Sequence, residues 1–190
     1  MSTLLYLHGF NSSPESHKAC QLQRWITAYR PDVNLLIPQL PYYPSQVITR
    51  LDPIFAEHHQ QKIGIIGASL GGFYATWFSQ YYSVPAVVIN PLVKPADYLK
   101  PHLGREYRMR SGEVIQLNHQ HLMEFATYQL PNLVSPNLLW LLAQQGDEVL
   151  PYQLATTYYM GCRQTIEPQG SHSFIGFVKH LPEIIKFLSL

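Results

Sequence analysis

Residues 62–78 read KIGIIGASLGGFYATWF, an apolar run, then Gly67-Ala68-Ser69-Leu70-Gly71, then a segment rich in aromatic residues. Gly-x-Ser-x-Gly set between a strand and a helix is the context in which the pattern makes a nucleophile elbow, a sharp turn that projects the serine hydroxyl from the sheet edge. The turn holds its serine in strained backbone and brings strand and helix close together. Glycine at 67 and 71 leaves room for that approach. Gly72 adds space, and Phe73, Tyr74, Ala75, Trp77 and Phe78 suit a largely buried helix.

On the N-terminal side, Thr3 to Leu7 is a short apolar run that stops at His8-Gly9-Phe10, as a buried parallel strand would. Ser13, Pro14 and Glu15 have the chemistry of a helix start, and Ala19, Leu22, Trp25 or Ile26, and Tyr29 recur at helical spacing up to Pro31. Val33 to Ile37 reads as a second strand. Pro38, Pro41 and Pro44 then force an irregular passage whose Tyr42 and Tyr43 are candidates to line a substrate pocket. A helix from Ser45 places Val47, Leu51, Phe55 and His58 on one face, with a kink expected at Pro53.

Beyond the elbow, Pro85 to Ile89 is a fourth strand, ended by Asn90-Pro91. From 91 to 137 prolines and glycines break the pattern, leaving one helix around Gln120 to Gln129, and this stretch reads as a cap-like insertion over the site. Leu138 to Leu142 and Arg163 to Ile166 read as the last two strands, with helices over Pro151 to Met160 and Leu181 to Leu188. The β-α alternation predicts a single three-layer α/β/α domain over 1–190, with about six mostly parallel strands and an insertion after the fourth.

Composition bounds the function. The chain has 190 residues, 46% of them hydrophobic and 13% charged, with a net charge of +1. Such a chain builds one core, and lacks the basic blocks of a nucleic-acid surface. Two cysteines, Cys20 and Cys162, form neither a disulfide framework nor a zinc knuckle. The opening MSTLLYLHGF reads as a strand and not an export signal, and no apolar run approaches the ~20 residues of a membrane span. The expectation is a cytoplasmic protein acting on a small molecule, without nucleic acid, membrane, metal or cofactor. The sequence leaves its oligomeric state open.

Open parallel sheets place ligands at the carboxyl ends of their strands. Four such ends carry reactive groups: His8-Gly9-Phe10, Ser69, Gly146-Asp147-Glu148, and Gly170-Ser171-His172-Ser173-Phe174. Ser69, Asp147 and His172 follow in the order nucleophile, acid, histidine. A serine hydroxyl becomes nucleophilic when an imidazole takes its proton, and the imidazole needs a carboxylate to fix its tautomer and balance its charge. Free imidazole titrates near ~6.5, so one group serves as base and then as acid.

Of nine histidines, His172 is the one in the last strand-to-helix loop; His58, His59, His119, His121 and His180 fall on expected helices. His119 and His121 diverge on a helix and have no carboxylate cluster, so a solvated face is the expectation there, not a metal pair. For the acid, Glu148 is the neighbour that competes with Asp147, and a plain Asx turn is the structural alternative for Asp147 itself. An oxyanion needs fixed donors, for which the backbone amides of Leu70 and Phe10 are the candidates, with His8 orienting the loop of Phe10.

With LHGF, GASLGG, QGDEV and GSHSF in these positions, the chain resembles the α/β-hydrolase superfamily and is similar to small bacterial esterases of the YqiA type. The likeness extends to LLYLHGFNSSP, IPQLP, YATW and CRQT, and so over essentially the whole length. It implies a serine esterase that needs no cofactor, a core lacking the first two strands of larger members, Ser69 as nucleophile, Asp147 as acid and His172 as base. The leading expectation is hydrolysis of carboxylic esters with short to medium acyl chains through an acyl-serine. A thioester substrate such as acyl-CoA is the alternative, prompted by Lys94, Lys100, Arg105, Arg108 and Arg110. A ligand-binding protein on the same scaffold is the non-enzymatic reading.

Overall fold

A computed structural model describes residues 2–57 and 62–190. The elements are β1 (Ser2–Leu7), α1 (His17–Tyr29), β2 (Val33–Leu36), α2 (Pro44–Glu57), β3 (Ile63–Ala68), α3 (Leu70–Tyr82), β4 (Ala86–Ile89), α4 (Pro95–Leu99), β5 (Glu106–Arg108), β6 (Val114–Gln116), α5 (His119–Tyr128), β7 (Leu139–Gln144), α6 (Tyr152–Tyr158), β8 (Arg163–Glu167) and α7 (Leu181–Phe187). His58, expected on the face of α2, and His59 lie outside the described residues.

Six strands form one sheet in the order β2-β1-β3-β4-β7-β8, and every pairing is parallel. Its inner strands β1, β3, β4 and β7 are apolar on both faces, as a sheet covered twice requires. Leu5, Leu7, Ile65, Val88 and Leu141 point to the side packed by α2, α3 and α6. Leu4, Tyr6, Ile66, Val87 and Trp140 point to the side packed by α1 and α7. From β1 the chain moves outward to β2 and then returns across β1 to β3. The winding therefore reverses between β1 and β3, where open sheets leave a crevice at their carboxyl ends.

Two expectations need correction. The first helix begins at His17, not at Ser13. Ser13 Oγ instead accepts from the amide of Glu15 at 3.3 Å, and its carbonyl accepts from Ser16, so Ser13-Pro14-Glu15 is a turn that precedes the helix. Tyr29 keeps the helical spacing and is exposed at the end of α1.

Residues 91–137 hold more than one helix. Between α4 and α5 lies the antiparallel hairpin β5–β6, whose three-residue strands are too short to show a period of two. The hairpin contacts the loop after β1, and α5 contacts the start of α2. The Phe10 and Tyr107 rings meet edge to face at 5.6 Å, the Arg110 amide donates to Asn11 Oδ1 at 2.8 Å, and Glu124 Oε2 accepts from the Ser45 amide at 3.1 Å. β4 and β7 pair directly, although the whole segment separates them in sequence.

Candidate active site

Ser69 stands between β3 and α3 with φ 54° and ψ −122°, a conformation that costs an L-residue roughly 1–3 kcal/mol and persists only where its surroundings enforce it. They do so here. The Ser69 amide donates to the Ile89 carbonyl at 3.0 Å, and its own carbonyl accepts from Gly72 at 2.9 Å and Leu92 at 3.1 Å. The glycines on either side permit the close approach that the turn needs. A Cβ on Gly67 would lie 2.3 Å from the Gly71 carbonyl oxygen, and one on Gly71 would lie 2.1 Å from that of Leu7. Neither distance is compatible with a side chain.

The turn aims Ser69 Oγ at His172, whose Nε2 is 3.1 Å away. On the other edge of the ring, Nδ1 lies 3.0 Å and 2.8 Å from the two carboxylate oxygens of Asp147. Asp147 is only 2% exposed, while His172 keeps 23%. Burial pushes the Asp147 carboxyl up. The hydrogen bond from His172, the amides of Leu150 and Val149 and the charge of the imidazole outweigh it and hold the group below the ordinary carboxylate range. Asp147 therefore stays ionised. With the anion at Nδ1, the proton of a neutral imidazole resides there and Nε2 faces the serine as acceptor.

The Asx turn weighed for Asp147 is present as well. Its Oδ1 accepts from Val149 at 2.9 Å and from Leu150 at 2.8 Å, so one carboxylate closes its own turn and orients the ring. Glu148, the competing acid, takes a different part. Its Oε2 accepts from the backbone amide of His172 at 2.9 Å, and that bond draws its carboxyl below the usual range.

Two residues that sequence reasoning passed over fix the histidine loop. Asn90, 4% exposed at the end of β4, donates from Nδ2 to the carbonyls of Ser171 at 3.0 Å and His172 at 3.2 Å, and accepts from the Gln144 amide at 3.0 Å. Gln144, 2% exposed at the end of β7, accepts at Oε1 from the amides of Ser171 and Ile175 and donates from Nε2 to the Ile175 carbonyl and to Glu167. The signal for both was a polar residue closing a buried strand.

His8 is 3% exposed at the end of β1. Its Nε2 accepts from the Leu40 amide at 3.1 Å, which places the proton on Nδ1, 2.9 Å from the Gly9 carbonyl. Burial pulls its pKa below the ordinary histidine value, although the bond to Gly9 and the charge of Glu15 oppose the shift. The ring ties the loop of Phe10 to the segment after β2.

Phe10 and Ser69 line one cleft of ≈ 350 Å³ together with His172. Leu70 is the first residue of α3, where an amide has no partner within the helix. Tyr42 and Tyr43 stand outside this cleft, but Tyr42 lines a small adjoining pocket together with His8, Phe10, Leu70 and Tyr74. The Tyr42 hydroxyl is 2.8 Å from Ser111 Oγ, and the Tyr43 ring stacks on His121 at 4.1 Å, so each also packs against residues of 91–137. His121 in turn accepts at Nδ1 from the Asn118 amide in a capping box, a more defined place than a solvated face.

A parallel sheet with a serine elbow between its central strand and helix, and an acid and a histidine on later strand ends, is the α/β-hydrolase fold. The chain belongs to the family described as "Uncharacterised protein family (UPF0227)", whose model matches residues 3–189. It is 24% identical over 195 residues to UPF0227 protein Ent638_1623 of Enterobacter sp. (strain 638), covering 98% of this chain and 99% of that one. Among solved structures it is similar to α/β-hydrolase domain-containing protein 10 from mouse, with TM-score 0.75 and 12% identity over 98% of this chain and 90% of that one. It is also similar to the esterase domain of a Rhodothermus marinus protein, with TM-score 0.69 and 16% identity over 98% and 86%. At such identities the two structures speak for the fold.

Proposed function

We propose that the protein is a serine esterase that hydrolyses carboxylic esters of short to medium acyl chain through an acyl-Ser69 intermediate. The observation that carries this reading is the continuous hydrogen-bonded line from Ser69 Oγ through His172 to Asp147, opening on a cleft. In the first half of the reaction, His172 Nε2 takes the proton of Ser69 as Oγ bonds to the ester carbonyl carbon. The resulting oxyanion is held by the amides of Phe10 and Leu70. Collapse breaks the bond to the alcohol oxygen, which leaves with the proton from Nε2. In the second half, water loses a proton to Nε2 as it attacks the acyl-serine, and Ser69 recovers that proton when the acid departs.

A cleft of ≈ 350 Å³ suits a compact acyl group. Residues 91–137 serve as a cap, in keeping with the contacts of Tyr107 and Arg110 to the Phe10–Asn11 loop. No helix among the described residues is long and apolar enough to cross a membrane, and the thiols of Cys20 and Cys162 are unpaired, which fits a reducing cytoplasm. The test is labelling with a fluorophosphonate, read by mass spectrometry alongside turnover of para-nitrophenyl esters. Ser69 takes the label and Ser69→Ala loses both label and turnover; folded wild type that neither labels nor turns over removes the proposal.

A further inference from the structure

The cleft beside Ser69 has a charge that the esterase reading leaves unused. Lys18, in the first turn of α1, lines it together with Gly9, Phe10, Ser16, Ser69 and His172. The ammonium is half-buried and, among the described residues, makes one hydrogen bond, to the Ser173 carbonyl at 2.8 Å, which places it one residue along the chain from His172. A lysine has three donors, so two remain free to meet a ligand.

Among the described residues, no carboxylate lines the cleft. The negative charge that acts on Lys18 is Asp147, which is buried and already bonded to His172, Val149 and Leu150. Burial lowers the lysine pKa and Asp147 raises it again, the balance falling below the ordinary value. The group is thus a partly dehydrated cation without a carboxylate partner, a condition that an incoming anion relieves. The positive end of α1 adds to the field at the same turn, since the N-cap residue Ser16 makes no side-chain capping bond to it.

We infer that Lys18 selects esters that carry a carboxylate close to the scissile carbonyl, binding that anion while Ser69 attacks. The inference rests on the esterase reading and narrows its substrate class from esters at large to anionic ones. Apolar acyl chains would leave the ammonium facing them unpaired, so the same residue discriminates against neutral esters.

The test compares kcat/KM for matched esters. On the acyl side the pair is para-nitrophenyl hydrogen adipate and para-nitrophenyl hexanoate; on the alcohol side it is para-acetoxybenzoate and phenyl acetate. Wild type should favour the anionic member of at least one pair, and the pair that does so tells which side carries the charge. Lys18→Met should lower the anionic-to-neutral ratio of that pair at least tenfold, with most of the change in KM, and Lys18→Arg should restore a part of it. Using the ratio removes any common effect of loosening the Ser173 contact. If Lys18→Met slows both members equally, Lys18 only props the histidine loop and the inference is wrong; it is equally wrong if wild type turns over neutral and anionic members alike. Loss of all turnover in wild type would instead count against the esterase reading itself.

Discussion

Replacing Asn90 by glycine tests how the histidine loop is held. Asn90 has φ 40°, a left-handed conformation that glycine adopts without strain, so Asn90→Gly removes the side-chain amide and leaves the backbone at ease. Three hydrogen bonds disappear: two to the carbonyls of Ser171 and His172 and one from the Gln144 amide. At about 0.5–1.5 kcal/mol each, and more where a buried partner stays dry, the loss of stability should be about 2–4 kcal/mol. For a chain of this size that corresponds to a fall in Tm of roughly 4–16 °C.

The kinetic consequence is separate. His172 would still have Asp147 and Glu148, but the backbone on both sides of it would lose its tie to β4, and a displacement of about 1 Å at the imidazole can cost on the order of 100-fold in rate. Turnover of a para-nitrophenyl ester should therefore show kcat down about 10- to 100-fold with KM little changed, because Asn90 does not line the cleft. Urea unfolding gives the stability and steady-state kinetics the rate. A variant that is destabilised as calculated yet keeps full kcat would show that Asn90 holds up the sheet edge and does not position the imidazole, which would overturn the reasoning.

Two other perturbations follow from the same geometry. Gly71→Ala should cost about 3 kcal/mol or more and give little soluble protein, since its Cβ would meet the Leu7 carbonyl oxygen at 2.1 Å and backbone cannot yield as a flexible side chain does; a soluble variant with wild-type urea midpoint contradicts the packing account. His8 is kept neutral in the fold with its pKa lowered, so an unfolded chain takes up a proton that the folded one refuses: the stability this histidine confers is complete above about pH 6.5 and is lost as the pH falls toward its lowered folded value. The urea midpoint of wild type should accordingly drop more between about pH 7 and pH 5 than that of His8→Gln, whose amide oxygen can still accept from Leu40; parallel profiles would show that His8 contributes nothing to the pH dependence.

Much of the fold is legible in the sequence because it depends on pattern. Apolar runs such as Ile63–Ala68 and Leu139–Gln144 declare strands buried on both faces, and the glycines at 67 and 71 mark a turn where a Cβ has no room. The residues brought into line, Ser69, Asp147 and His172, are legible for a different reason: a hydrogen-bonded chain of hydroxyl, imidazole and carboxylate can be built from few residue types, and strand ends limit where they stand. The start of α1 misled because Ser13-Pro14-Glu15 carries the side chains of a helix start, yet Ser13 Oγ is already used by the amide of Glu15 in a turn. The three-residue strands of the hairpin were beyond reach, since periodicity needs length.

What stayed hidden is the apparatus that carries the histidine. Asn90 and Gln144 hold carbonyls and amides of residues 171–175, and backbone groups ask only for a donor or an acceptor at the right spot. Serine, threonine, asparagine, glutamine or water could meet that demand, so no residue type announces the role. The same holds for Lys18, whose position in the cleft follows from a helix that begins three residues beyond Pro14 and so presents its first turn, not its approach loop, to Ser69. Chemistry restricts residue identity where a proton moves, and geometry alone restricts it where a loop is held. A motif therefore reveals the reacting groups of a site well before it reveals what keeps them in place.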